Sequence, residues 1–168
     1  MNPRVFTNVV EWYHLEWLQN ILKLNRPDQL SIDCGIDLLD QGTAVELKSR
    51  LKKYSHNFAV HAYQIDEYES QLPDHTLFWA FLFYDLTKPV KKIEAEEVGS
   101  CIKGREAWFM DWKWIKQFPQ SNVKTGPYVY VHKNNFPAEN NFVKMKEKGG
   151  TLYVPKNSIL EERLYLPF

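Results

Sequence analysis

The stretch Asp33-Cys-Gly-Ile-Asp-Leu-Leu-Asp-Gln-Gly-Thr-Ala-Val-Glu-Leu-Lys-Ser-Arg50 holds two short apolar runs, Ile36–Leu39 and Ala44–Leu47, on either side of Gln41-Gly42. That layout predicts a tight β-hairpin, although Gln-Gly is a weaker turn signal than Asn-Gly. With Gln41 and Gly42 as the loop, Asp40 pairs with Thr43, Leu38 with Val45 and Asp37 with Glu46. Side chains alternate along a strand, so Ile36, Leu38, Val45 and Leu47 fall on one apolar face. Asp37, Glu46 and Lys48 fall on the other. Two carboxylates directly opposite each other, with Cβ atoms roughly 5 Å apart, repel and weaken the hairpin.

A divalent cation between them turns that repulsion into ligation, because hard cations such as Mg²⁺ take carboxylate oxygens and water. Lys48, two residues past Glu46 on the same face, is placed to touch a phosphate or an attacking water. An acid followed by Glu-x-Lys is the parts list for metal-assisted phosphodiester hydrolysis. Gly35-Ile-Asp37 with Val45-Glu46-Leu-Lys48 resembles the PD-(D/E)xK signature of restriction-endonuclease-like nucleases, in the flavour of the Mrr-like and RecB-like branches. The resemblance spans roughly residues 8–86. It implies that Asp37 and Glu46 bind Mg²⁺, with Mn²⁺ as a substitute, and that Lys48 orients or activates the hydrolytic water. The plain alternative is an exposed hairpin carrying ordinary surface charges.

At 168 residues the chain is most simply one domain with a sizeable core. Hydrophobic and charged contents of 44% and 25% fit an ordinary globular protein. Six Trp, nine Tyr and ten Phe imply a densely packed core, an aromatic contact surface, or both. Net charge is zero, which counts against a sequence-independent nucleic-acid coat. Charge is nevertheless segregated: Lys48, Arg50, Lys52, Lys53, His56 and His61 lie in a stretch without acids, and form a candidate basic strip beside the acids. Cys34 and Cys101 lack metal-ligand spacing and fit a reduced chain. No signal-like start and no long apolar run is present, so the expected setting is cytoplasmic, or an infected cell for a viral protein, with no membrane.

In chain order, residues 8–24 read as a first helix, with Asn8 as cap and Glu11 at the capping-box position. Nucleases of the resembled type often place a further glutamate here, and Glu11 and Glu16 are the candidates; for Glu11 simple capping is the competing role. Gln29–Cys34 reads as a strand or edge, with Asp33 opposite Arg50 as an ion pair. Asp40 reads as turn chemistry. A second helix is expected over residues 57–71, ended by Pro73. In it Gln64 and Tyr68 share a face, and their spacing resembles the accessory Gln-x-x-x-Tyr of RecB-like nucleases. His56 and His61 are either phosphate contacts or solvated histidines. Thr76–Leu86 is a continuous apolar run and reads as a strand buried on both faces.

Beyond that the pattern weakens. Residues 90–98 are a strand or a short acidic helix, and Glu106–Ile115 with its tryptophans is a strand or a helix. Tyr128–His132 and Thr151–Val154 read as strands. Residues 90–168 are expected to form a β-rich extension: either a sheet extension burying its own tryptophans, or a substrate-binding or dimerising part that uses Lys144-Met-Lys146-Glu-Lys148. The expected class is α/β with a restriction-endonuclease-like core. The expected function is a Mg²⁺-dependent deoxyribonuclease, an endonuclease of restriction, defence or repair type. Asp37, Glu46 and Lys48 are its catalytic set, Glu11 or Glu16 an added metal ligand, and Gln64, Tyr68, Arg50, Lys52 and Lys53 its DNA contacts or support. Cutting both strands of a duplex favours a homodimer. The alternative from another class is a non-catalytic nucleic-acid-binding or assembly module on the same fold.

Overall fold

The computed structural model describes residues 1–27, 35–124 and 126–165. Helix α1 (Pro3–Leu22) is followed by the hairpin β1 (Leu38–Leu39) and β2 (Thr43–Leu51), then β3 (Asn57–His61), α2 (Ala62–Gln71) and β4 (Thr76–Leu86). The second half adds α3 (Val98–Cys101), β5 (Ile102–Asp111), α4 (Trp112–Lys116), β6 (Gln120–Val123), β7 (Gly126–His132), β8 (Phe142–Glu147), β9 (Gly150–Pro155) and α5 (Ile159–Leu164). Among the described residues the strands form a mixed sheet in the order β1-β2-β4-β5-β9-β8 and a smaller sheet in the order β3-β7-β6. The chain is therefore α/β. No described helix is long and apolar enough to cross a membrane.

The main sheet is the middle of three layers, and β4 is the reason. Its side chains alternate between Phe78, Ala80, Leu82 and Tyr84 on one face and Leu77, Trp79, Phe81 and Phe83 on the other. All eight are buried. The first face packs against α1, whose Phe6, Val10, His14, Leu18 and Leu22 recur every fourth residue as one buried stripe. The second face is covered by Phe58 and Val60 of β3, Val129 and Val131 of β7, and Ile65 and Tyr68 of α2. Each large side chain so buried contributes about 1.5–3 kcal/mol before entropy is counted.

The hairpin forms in the expected register, Leu38 opposite Val45 and Leu39 opposite Ala44, with the Asp40 N–H donating to the Thr43 carbonyl at 2.9 Å. Parallel pairing of β2 with β4 and antiparallel pairing of β4 with β5 then carry the sheet outward. The run Thr76–Leu86 is a doubly buried strand, as its composition predicts.

Several expectations are corrected. The first helix begins at Pro3 rather than residue 8, because Asn2 accepts from the Arg4 N–H at 2.9 Å and Pro3 is preset for a first helical position. Asn8 and Glu11 lie inside the helix, so Glu11 is not a cap. Residues 57–61 are a strand, not the start of the second helix: Phe58 and Val60 alternate inward and pair with β7. His56 consequently precedes a strand and His61 ends it, and they lie against other rings, His132 and Tyr128 respectively. Ile36 packs with the second-face cluster and not with Leu38, because Gly35 turns the chain at φ +75 just before it. The stretch 106–115 is both candidates in sequence, with a strand to Asp111 and a helical turn from Trp112 whose first turn Asp111 caps through the Lys113 N–H at 2.8 Å.

Residues 90–98 are short 3₁₀ turns leading into α3. The second half is not an appendage, since β5, β9 and β8 complete the main sheet and β7 and β6 pair with β3. Its tryptophan signal is core chemistry: Trp108 is buried and stacks on Tyr153 with centroids 3.7 Å apart. Cys101 is a free, buried thiol. The expected strand Gln29–Cys34, with Asp33, lies outside the described residues.

Candidate active site

Asp37 occupies the bend between Gly35 and β1, at the open end of the hairpin. Its Oδ2 accepts the Leu47 N–H at 2.7 Å, so the carboxylate takes the place of a strand carbonyl along the edge of β2. That bond fixes Asp37 beside Glu46, one residue earlier on the same strand. Parity then sends Glu46 to the second face of the sheet, where it is only 5% exposed. The hairpin's acidic face is thus a buried face, which excludes the plain reading of exposed surface charge.

Two groups meet the Glu46 carboxyl. Asp37 shares a side-chain hydrogen bond with it, and the Tyr68 hydroxyl of α2 bonds to its Oε2. The same hydroxyl lies 3.3 Å from the Gly35 carbonyl, tying α2 to the start of the hairpin. Burial, above all, pushes the Glu46 pKa well above the usual carboxylate range; the hydrogen bond and charge of Asp37 add to this, while Tyr68 and Lys48 oppose it. A buried carboxyl beside a second acid, without a matched cation, is the arrangement in which functional carboxyls are found.

Glu11 approaches from α1. Its pKa is raised first by burial and then by the charge of Asp37, with Lys48 and Arg26 pulling the other way. Glu11 and Glu46 therefore each sense both Asp37 and Lys48. Glu16, five residues on, is exposed. Of the two helix glutamates, Glu11 is the one brought to the site. Among the described residues no three His, Cys, Asp or Glu side chains stand in metal-binding geometry. The donor chemistry of Asp37 and Glu46, two hard carboxylates in mutual contact, fits a hard divalent ion.

The remaining candidates separate. Tyr68 is at the site, as the helical spacing implies, and Gln64 lies one turn earlier with its Oε1 buried and without a hydrogen-bond partner. Arg50 is exposed on β2, its Nε donating to the Asn57 carbonyl at 3.3 Å. Lys53 is exposed with its Nζ 4.9 Å from the Tyr54 ring centroid. Lys52 pairs with Asp85 of β4 at 3.4 Å and with Glu106 of β5 at 3.1 Å. Asp40 is turn chemistry, its Oδ1 accepting from the Gly42 and Thr43 N–H groups at 3.1 and 3.0 Å. Arg26 was not foreseen. In sequence it only helps to stop a helix, and its action on Glu11 depends on a fold the local pattern does not encode.

Comparison of the chain with family models, with curated proteins and with solved structures finds no match in any of the three.

Proposed function

We propose that the chain is a metal-dependent nuclease that hydrolyses DNA phosphodiester bonds, with its centre at Asp37, Glu46 and Lys48. One observation carries this reading: Glu46 is buried against Asp37 while Lys48 acts on it from the same strand. A structural role explains this poorly, because two contacting acids in a low-dielectric site cost stability unless something with positive charge joins them.

Asp37 and Glu46 would hold the metal, with Glu11 of α1 as the further carboxylate able to join them. When bound, the Mg²⁺ supplies Lewis acidity and lowers the pKa of a coordinated water. Lys48 sits two residues from Glu46 and presents its ammonium to the attacking water or to the phosphate, where negative charge grows in the transition state. Tyr68 holds the Glu46 carboxyl in place through its hydroxyl, and Asp37 is held by the Leu47 N–H. Such support fixes ligand geometry, and its loss typically costs about 10–100-fold in metal affinity or activity.

The test is cleavage of supercoiled plasmid, linear duplex and single-stranded DNA in Mg²⁺, Mn²⁺ or EDTA, with Glu46→Ala and Lys48→Ala alongside. Metal-dependent cutting that both variants lose supports the nuclease, and nicked circles mark an endonuclease. Absence of cutting on every substrate, together with no heat of Mn²⁺ binding, overturns it in favour of a non-catalytic module on the same fold.

A further inference from the structure

Beside the acids lies an open groove of about 830 Å³, bounded by the start of α1, the end of β2, β3 and the turn after β4. It adjoins the candidate centre through chain neighbours: Val10 precedes Glu11, and Ser49 follows Lys48. Its walls are mainly apolar and aromatic, from Phe6, Phe58, Tyr84, Tyr54 and Tyr130. Two of these rings are strongly exposed, Tyr54 at 72% and Tyr130 at 45%. Among the described residues, the charged side chains lining it are Arg50 and Lys91, and no acid lines it.

Exposed phenol rings facing a concave, acid-free wall with two cations match one kind of guest. It must offer flat π-faces to tyrosine and negative charge to Arg50 and Lys91. Unpaired nucleotides do both, since base–aromatic stacking combined with a basic track is how single strands are held without sequence preference. A duplex does not, because its base faces are covered by their neighbours in the stack. The volume is within the range of about 300–1,000 Å³ in which small ligands are enclosed, which suits one or two nucleotides and not a folded partner. Arg50 is also placed for this, since it lines the groove from β2, two residues beyond Lys48.

We propose that this groove receives unpaired bases of a single-stranded polynucleotide, stacked on Tyr54 and Tyr130, and leads the adjoining phosphate to Lys48. The inference rests on the nuclease reading for the direction of the strand, and it narrows the substrate class to single strands or to frayed and flapped ends.

Fluorescence anisotropy of the full chain in EDTA tests it, using a short fluorescein-labelled oligothymidylate, its abasic counterpart, an oligouridylate and a blunt duplex. The single strand is expected to bind about tenfold or more tighter than both the duplex and the abasic strand. Tyr54→Ala and Tyr130→Ala should each weaken it about tenfold, with Tyr54→Phe close to the parent. Comparison of oligothymidylate with oligouridylate assigns the strand as DNA or RNA. Duplex binding equal to or tighter than single-strand binding, or unchanged binding in the Tyr54→Ala, Tyr130→Ala double variant, overturns the groove. Cutting by a protein whose tyrosine variants bind normally overturns the groove alone. Tyrosine-dependent binding by a protein that cuts nothing supports the groove while the nuclease reading fails.

Discussion

The two ends of one hairpin treat their acids in opposite ways. At the closed end Asp40 is fully answered: two backbone N–H groups reach its Oδ1, and Arg163 of α5 pairs with its Oδ2. The guanidinium also donates to the Leu22 and Lys23 carbonyls, both at 2.7 Å, and so ties the end of α1 to the turn. At the open end Glu46 is more deeply buried than Asp40, yet its nearest neighbours are a second acid and a tyrosine. Folding alone accounts for the first arrangement and not for the second. A buried acid beside a second acid, in a chain that answers Asp40 with a guanidinium and two N–H groups, is the contrast on which the proposed centre rests.

The largest effect belongs to the open end. Lys48→Ala is expected to reduce metal-dependent cleavage about a hundred- to a thousandfold, the loss usual when one donor to a developing charge is removed. Circular dichroism and the unfolding midpoint should stay near the parent, because Lys48 is only half-buried. A folded Lys48→Ala protein that still cuts would remove Lys48 from the centre. The closed end should respond the other way round. Arg163→Ala leaves Asp40 and two carbonyls without their shared donor, and should cost about 2 kcal/mol of stability, read as a lower urea midpoint at unchanged slope. Its cleavage rate, measured well below the new midpoint, should match the parent. A third change probes the join between the two kinds of chemistry: Tyr68→Phe deletes one hydroxyl from the Glu46 carboxyl and should weaken Mn²⁺ binding roughly tenfold in calorimetry. Unchanged affinity would mean that Tyr68 serves only the core.

What the sequence revealed of this contrast follows from the range of the forces involved. The hairpin register and the doubly buried β4 were legible because period-two alternation and a turn are written into adjacent residues. Asp37, Glu46, Lys48 and Tyr68 were legible because the hairpin and one helical turn set their spacing. The strand at Asn57–His61 also carried a period-two signal in Phe58 and Val60, but the helix pattern centred on Ile65 and Tyr68 masked it. The true start of α1 was written in Asn2-Pro3, which a capping-box match at Asn8 and Glu11 outweighed. Arg163, Arg26 and the Lys52 ion pairs with Asp85 and Glu106 were not legible. They join segments far apart in the chain, and no local pattern states which distant carboxylate a basic side chain will meet.

The smallest expected effect concerns stability at the open end, without metal. Glu46→Gln keeps the shape of the side chain: the amide oxygen accepts from Tyr68 and the amide nitrogen donates to Asp37, so both neighbours stay satisfied. What disappears is the cost of ionising a buried carboxyl. In the parent, the folded-state pKa of Glu46 lies above the ordinary value of 4.5 that applies when the chain is unfolded. The folded state therefore holds its proton where the unfolded state has released it, and parent stability falls as pH rises from about 4.5 through the raised value. In EDTA the Gln variant should accordingly be the more stable protein at neutral pH, by about 1 kcal/mol or more, and should lose that advantage as pH drops toward 4.5. Its cleavage should be abolished in the same buffers with Mg²⁺ restored. A variant that is less stable at every pH would place Glu46 with Asp40 among the acids that hold the fold, and the difference between the two ends of the hairpin would then carry no functional meaning.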